Sequence, residues 1–429
     1  MVVVNKIFFL LIFILVLLKL NIGNSSQILD YETELFIESI IKDIKKVNNI
    51  NKQFNFKIIK NDSINAFVDE NNTIYITSEL IESCKDYVAL LSVLAHEIGH
   101  IDKNHIKQRK LKIKKTENIN NLSNLSIIAS SVISQNTDLL PVLSLSAANS
   151  AESFIVFSKD QEREADYYSL QTLKKLELYS DSIIELLKLI EKKSIEKGLT
   201  REENKVNSHP YFDERIEIIN YLNEKNNSSF DINKNTKFKF IQSKFIGYNS
   251  NNKKLNKLDN DYKKYASAIL IAKNGDFSKS LKIINELIKK HQNNFFLLET
   301  KADILFSYGY IKEAIQFYKI LNNKFPNNIY IQVRIFENTN YENLTKEELD
   351  NFFSDNLNLI KKFYNNKKIV LMYIRLSELS NKNEWNSFLN YWIKKEDKKK
   401  LSIEDLNKFK ETNDKDLLNL IELIYKDYK

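Results

Sequence analysis

The sequence predicts a mainly α-helical protein whose amino-terminal part also carries a small β-hairpin or sheet. Only 6 glycines and 3 prolines occur in 429 residues, which favours helices joined by short connections. With 43% hydrophobic residues the chain can bury more than one core, and its length favours two or three domains. The formal net charge of +8 comes from scattered lysines, a pattern that does not indicate a nucleic-acid partner.

Residues 1–25 have the pattern of a signal peptide. A short basic start precedes an unbroken apolar run from Ile7 to Leu18, and Gly23-Asn-Ser25 offers small residues for cleavage. This run is well short of the roughly 20 residues that a membrane-spanning helix needs. The pattern predicts export, with an uncleaved anchor as the alternative. The lone Cys84 can form no internal disulfide, and we interpret it as a buried apolar residue.

Residues 26–225 are predicted to form one domain, in which helix and strand patterns alternate. Helical spacing of apolar residues predicts a helix over residues 35–47, and alternation predicts a strand over residues 54–59. Two short segments, residues 65–68 and 73–77, are joined by polar residues and predict a hairpin.

A further predicted helix contains a candidate metal-binding motif. Ser83 and Asp86 predict a capping box at its start, and apolar residues from Val88 to Ile98 share one face. The segment His96-Glu-Ile-Gly-His100 therefore lies on a helix, where residues four apart can offer two imidazoles to one metal ion.

Glu97 has the position of a general base, which could take a proton from water on a bound Zn²⁺ ion. Two histidines leave a catalytic zinc site one protein ligand short. Glu162 is the best candidate, because Glu162 and Asp166 are four apart on one helical face. An ordinary solvated acidic helix is the alternative for this stretch. Helical geometry places His105 off the metal-facing stripe, as a solvated or helix-end residue.

Three segments resemble the signatures of the zinc peptidase family that includes HtpX and the CAAX prenyl proteases. They are Leu91 to His100, Phe157 to Asp166, and Ser208-His-Pro-Tyr-Phe-Asp-Glu-Arg215. With an export signal and helical repeats, the chain most resembles the periplasmic BepA-type group, which degrades or helps to assemble outer-membrane β-barrel proteins. The resemblance implies a periplasmic location, with peripheral membrane association at most.

The resemblance also implies roles for individual residues. One Zn²⁺ ion per chain would be bound by His96, His100 and Glu162, with Glu97 as general base. Asp166 would orient a ligand imidazole, a contact that fixes the tautomer. His209 would approach the zinc and hold the site latent, and Arg215 would line the cleft. The strand beside which an extended substrate pairs would contain Asn65, Ile74, Tyr75 and Ile76.

The remaining sequence predicts a linker and a repeat domain. Residues 226–262 are rich in Asn and Lys, with one strand-like stretch from Phe238 to Phe245. In residues 263–429, Gly275-Asp-Phe returns as Gly309-Tyr-Ile after 34 residues. This period is typical of tetratricopeptide repeats, stacked helical hairpins with a concave binding surface.

The sequence favours a zinc-dependent endopeptidase that acts on misfolded or stalled outer-membrane proteins. The repeats could dock it to an assembly machine. The alternative is a non-proteolytic chaperone or scaffold in which the repeats bind partners and the metal only stabilises the fold.

Overall fold

The computed structural model describes residues 27–109, 157–196, 215–217, 219–220, 230–250, 252–396 and 407–427. The chain divides into two compact units, Met1–Ala266 and Ser267–Lys429. The predicted fold class is confirmed, because the described residues are mainly helical with one small four-stranded sheet. The proposed signal peptide and His209 lie outside the described residues.

The sheet belongs to the first unit. Its strands are β1 (Gln27–Ile28), β2 (Asn55–Ile59), β3 (Ala66–Val68) and β4 (Thr73–Thr77), in the spatial order β1-β2-β4-β3. β2 pairs with β4 in parallel, and β3 and β4 form the predicted antiparallel hairpin with Phe67 opposite Tyr75. At its turn Asn72 has φ +57°, a left-handed conformation that asparagine tolerates, and Asp69 accepts hydrogen bonds from the backbone amides of Asn71 and Thr73.

The helices of the first unit surround one buried helix, α3. They are α1 (Tyr31–Asn48), α2 (Ser78–Ser83), α3 (Tyr87–Asp102), α4 (Lys159–Lys175), α5 (Asp181–Glu196), α6 (Ile232–Asn249) and α7 (Asn252–Leu255). α3 packs against α1, α4, α5, α6 and β3. The predicted capping box is wrong, because Ser83 ends α2 and Asp86 alone caps α3 through the amides of Val88 and Ala89. The buried Cys84 is confirmed.

α3 and α4 cross closely at Gly99. A β-carbon added there would lie 3.2 Å from the Cβ atom of Tyr168 and 3.3 Å from the Cα atom of Ala165. The absence of a side chain at Gly99 therefore brings the two helices together directly beside the second histidine of the motif.

The strand expected from Phe238 to Phe245 is wrong, because these residues lie within α6. Phe238, Ile241 and Phe245 recur at helical spacing and belong to the core of the first unit. Lys244 forms ion pairs with Asp30 and Glu32 at 2.6 and 2.7 Å. Much of the segment that composition suggested as a linker is thus a packed helix, whose spacing of three and four residues between these core side chains marks a helix face.

The second unit is helical throughout its described part. Its helices are the end of α8 (Asn260–Lys273), α9 (Phe277–Lys290), α10 (Phe296–Ser307), α11 (Ile311–Lys324), α12 (Ile329–Asn338), α13 (Lys346–Asp355), α14 (Leu357–Phe363), α15 (Lys367–Leu379), α16 (Asn383–Glu396) and α17 (Lys415–Asp427). α9 and α11 begin 34 residues apart, and before each lies a glycine with positive φ, Gly275 and Gly309. This agrees with the 34-residue period, while the tetratricopeptide assignment stays a prediction.

Among the helices in the described ranges, none is both long enough and apolar enough to cross a membrane.

Candidate metal centre

Three buried side chains converge between α3 and α4. His96 and His100 come from α3 and Glu162 from α4, and their potential ligand atoms lie within 4.8 Å of one another. The Nε2 atoms of the two histidines are 3.0 Å apart, and the Glu162 oxygens lie 3.4 Å from His96 Nε2 and 3.5 Å from His100 Nε2. Ligand atoms bound tetrahedrally at about 2.0–2.1 Å from zinc would be separated by roughly 3.3 Å. The three side chains fit one Zn²⁺ ion without rearrangement.

The tautomer of His96 is determined by Asp166. The Nδ1 atom of His96 lies 2.9 Å from Asp166 Oδ1, and because a carboxylate only accepts hydrogen bonds, this nitrogen carries the proton. The Nε2 lone pair is therefore directed at His100 and Glu162, as a metal ligand requires.

Arg215 completes this support from a distant part of the sequence. Its guanidinium donates to both oxygens of Asp166, with Nη2 to Oδ1 at 2.8 Å and Nε to Oδ2 at 2.9 Å. Burial opposes the charge of Asp166, but Arg215 and His96 outweigh that effect and lower its pKa. Arg215, expected to line the cleft, thus lies at the cavity and also holds Asp166 ionised.

His100 has a different and unexpected partner, His105. The Nδ1 atoms of the two rings are 2.9 Å apart, and His105 Nε2 lies 2.9 Å from Glu164 Oε2. The Glu164 carboxylate accepts from His105 Nε2, so His105 Nδ1 can accept the proton of His100 Nδ1. The Nε2 atom of His100 is then free of a proton and directed at the metal position. Phe157 stacks on His100, with ring centroids 3.7 Å apart.

Of the two alternatives predicted for His105, the solvated residue is wrong, while the helix-end residue agrees with a helical segment that starts at His105. Its side chain is fully buried. α3 ends at Asp102. A turn through Asn104, with φ +57°, then redirects the chain so that His105 contacts His100. Lys52 stabilises this turn, because its ammonium donates to the carbonyls of Ile101 and Asp102 and to Asn104 Oδ1.

A capping box fixes the start of α4. The Ser158 hydroxyl accepts from the Gln161 backbone, and the Gln161 side chain accepts from the Ser158 amide. This places Glu162 in the first turn and Asp166 one turn later, so both carboxylates face α3. Farther along α4, Ser169 donates to the carbonyl of Ser92 on α3.

A cavity of about 150 Å³ opens beside the cluster. Glu97 is 1% exposed, and it lines the cavity together with His96, Asn65 and Ala66. Because Asn65 and Ala66 line the cavity, β3 lies at its rim. β3 is also the edge strand of the described sheet, since β4 lies between β2 and β3. Placing Ile74, Tyr75 and Ile76 on an edge strand is therefore wrong: they occupy an interior strand, and Asn65 directly precedes the edge strand. The role of His209 stays a prediction.

Comparisons with known proteins agree with this geometry. Residues 32–223 match the model of peptidase family M48. The chain is similar to proteins named beta-barrel assembly-enhancing protease. The relative from Yersinia pestis is 25% identical over 134 residues, 31% of this chain and 27% of the relative. Those from Escherichia coli K12 and Shigella flexneri are each 25% identical over 154 residues, 36% of this chain and 31% of each relative.

The matched region thus spans less than a third of each relative's length. The predicted family resemblance is confirmed for the catalytic part, and residues 32–223 are a metallopeptidase domain of the M48 type.

Proposed function

We propose that this M48-type metallopeptidase domain is a zinc-dependent endopeptidase that cleaves unfolded polypeptides in the periplasm. The observation that carries the proposal is the convergence of His96, His100 and Glu162 at the mutual distances of tetrahedral zinc ligands. Three protein ligands leave one position for water, which is the arrangement of a catalytic site.

When bound, Zn²⁺ supplies a water of lowered pKa and polarises the peptide carbonyl. Glu97 follows His96 on the same helix and lines the cavity, so its carboxylate can take the proton of the attacking water and later pass it to the leaving amine. Asp166 and Arg215 keep His96 in the ligating tautomer, while His105 and Glu164 do the same for His100.

The edge strand β3 offers a way to hold an extended substrate. The Asn65 carbonyl accepts from the Thr77 amide of β4, and the Asp69 amide donates to the Thr73 carbonyl of β4. Because these bonds alternate along a strand, the amides and carbonyls of Ala66 and Val68 point away from β4, where the described strands place no partner. A substrate segment added there would lie beside Glu97, and only an unfolded or locally extended chain could pair in this way.

The names of the relatives support a role in outer-membrane protein quality control, with unfolded or stalled β-barrel proteins as substrates. In this proposal the helical pairs of the second unit dock the enzyme to an assembly machine or a client. His209, which lies outside the described residues, would act as a removable fourth zinc ligand. A non-proteolytic chaperone or scaffold is the alternative function, in which the helical pairs of the second unit would bind partners.

The decisive experiment is casein degradation by the full chain and by Glu97→Gln, with zinc content measured in parallel. Since the three ligands remain, the variant should keep its zinc yet lose roughly 10²-fold or more of the activity, the usual contribution of a general base. Glu185→Gln is the matched control, because Glu185 is exposed and forms an ion pair with the exposed Lys85. Activity near wild type in zinc-loaded Glu97→Gln would refute the peptidase mechanism.

A further inference from the structure

The cavity continues beyond the catalytic residues into an apolar wall. From His96 and Glu97 it runs between α3 and α4 and reaches α5. The α5 residues that line it are Ile183, Leu186, Leu187 and Ile190. Their spacing of three and four residues gives one aliphatic stripe facing the site.

We propose that this cavity is the specificity subsite, which takes a large aliphatic or aromatic substrate side chain next to the cleaved bond. The inference rests on the proposed peptidase function. The volume of about 150 Å³ matches the occupant. An engineered apolar cavity of about this size in another protein holds a benzene molecule.

Four of the polar side chains that line the cavity on α3, on α4 and at Arg215 are committed to other partners, so they offer little to a polar substrate side chain. Ser92 donates to the carbonyl of Val88, and Ser169 donates to the carbonyl of Ser92, each at 2.8 Å. Asp166 and Arg215 form an ion pair with each other. At the α5 end of the cavity, away from Glu97, the wall is aliphatic, so a charged side chain seated there would lose its hydration, which selects for apolar residues.

Residues of α3 and α4 connect the apolar cavity to the site of cleavage. Ser92 and Val93 line the cavity one turn before His96 and Glu97 on α3, and Leu170 lines it one turn after Asp166 on α4. A side chain seated between them would hold its own backbone close to Glu97. This arrangement couples binding of an apolar side chain to the position of the adjacent peptide bond.

The test maps cleavage sites in unfolded casein by mass spectrometry, with the zinc-loaded full chain. We expect Leu, Ile, Met and Phe to be enriched severalfold at one position flanking the cut. Ile190→Glu adds a carboxylate to the wall and should shift that position toward Lys and Arg. Leu189→Glu is the matched control: Leu189 is half-buried like Ile190 but does not line the cavity, so its cut sites should keep the apolar preference.

Active enzyme without any apolar preference would overturn the subsite and leave the peptidase function intact. The same holds for identical cleavage profiles of Ile190→Glu and Leu189→Glu. Absence of any Glu97-dependent cleavage would instead refute the function on which the subsite rests. If Ile190→Glu does not fold, Ile190→Ala replaces it, and the enlarged cavity should then shift preference from Leu toward Phe and Trp; an unchanged preference would count against the proposal.

Discussion

Replacing His105 by phenylalanine removes the acceptor of the His100 Nδ1 proton and fills nearly the same space. Because His105 is fully buried, water cannot take over that hydrogen bond. His100 must then either leave its Nδ1–H group unsatisfied or move the proton to Nε2, the atom that faces the metal. Partners that orient a metal-bound histidine typically contribute 10-fold to 100-fold to metal affinity. We expect a loss of that size, which corresponds to about 1.4–2.7 kcal/mol.

The assay is Zn²⁺ affinity of the full chain, measured by competition with a chromophoric chelator. His105→Asn should recover most of the loss, since its side-chain oxygen can accept from His100. Glu164→Gln should cost much less than His105→Phe, because the amide oxygen still accepts from His105 Nε2. His291→Phe, in the second unit, is the matched control for a histidine far along the sequence from the site.

Two results would refute this reasoning. One is a Zn²⁺ affinity of His105→Phe equal to that of the wild type. The other is a fall in the melting temperature of the zinc-free protein as large as that of the zinc-loaded protein, since this would assign His105 a purely structural role. Nitrogen NMR of labelled histidines gives an independent check: in the zinc-loaded protein, His105 should carry its proton on Nε2 and His100 on Nδ1.

Two further predictions concern stability of the first unit, reported by labelling of the buried Cys84 in urea. Burial opposes ionisation of Glu79, but hydrogen bonds from Lys193 and Lys254 outweigh this effect and lower the pKa of Glu79. The ionised carboxylate therefore stabilises the folded state above the ordinary pKa range of a carboxyl group, and this stabilisation is lost as the pH falls through the lowered pKa. Glu79→Gln should therefore lower the urea midpoint at pH 7, with a difference that shrinks below about pH 4.3; a constant difference would contradict this. Gly99→Leu should cost about 1–3 kcal/mol or more, because a Cβ atom already meets Tyr168 at 3.2 Å, and an unchanged midpoint would show that α3 and α4 separate freely.

Features decided by neighbouring residues could be predicted from the sequence. The β3–β4 hairpin is one, because two alternating segments with a polar turn between them have few other ways to pair. The shared face of His96 and His100 is another, since spacing on a helix fixes which side chains lie together. The position of β4 inside the sheet depends on its parallel pairing with β2, a nonlocal contact that no local pattern reveals.

His105 shows a second limit. If α3 continued as a straight helix, His105 would lie away from the metal position. The turn at Asn104 instead brings it into contact with His100. That turn depends on Lys52, about fifty residues earlier in the chain. The segment from Phe238 to Phe245 shows a third limit, because a local pattern that fits a strand lies in a helix. Its packing includes the buried Gln242, which donates to the carbonyls of Ile81, Glu82 and Cys84, about 160 residues earlier in the chain.

The ion pair between Arg215 and Asp166 has a consequence for biosynthesis. His96, Asp166 and Arg215 reach the site from positions 70 and 49 residues apart in the chain. A nascent or partly folded chain that lacks Arg215 would hold Asp166 less well, and His96 with it. Metal binding would then follow the folding of the whole domain, so the peptidase would acquire its metal only after residues from all three positions have come together.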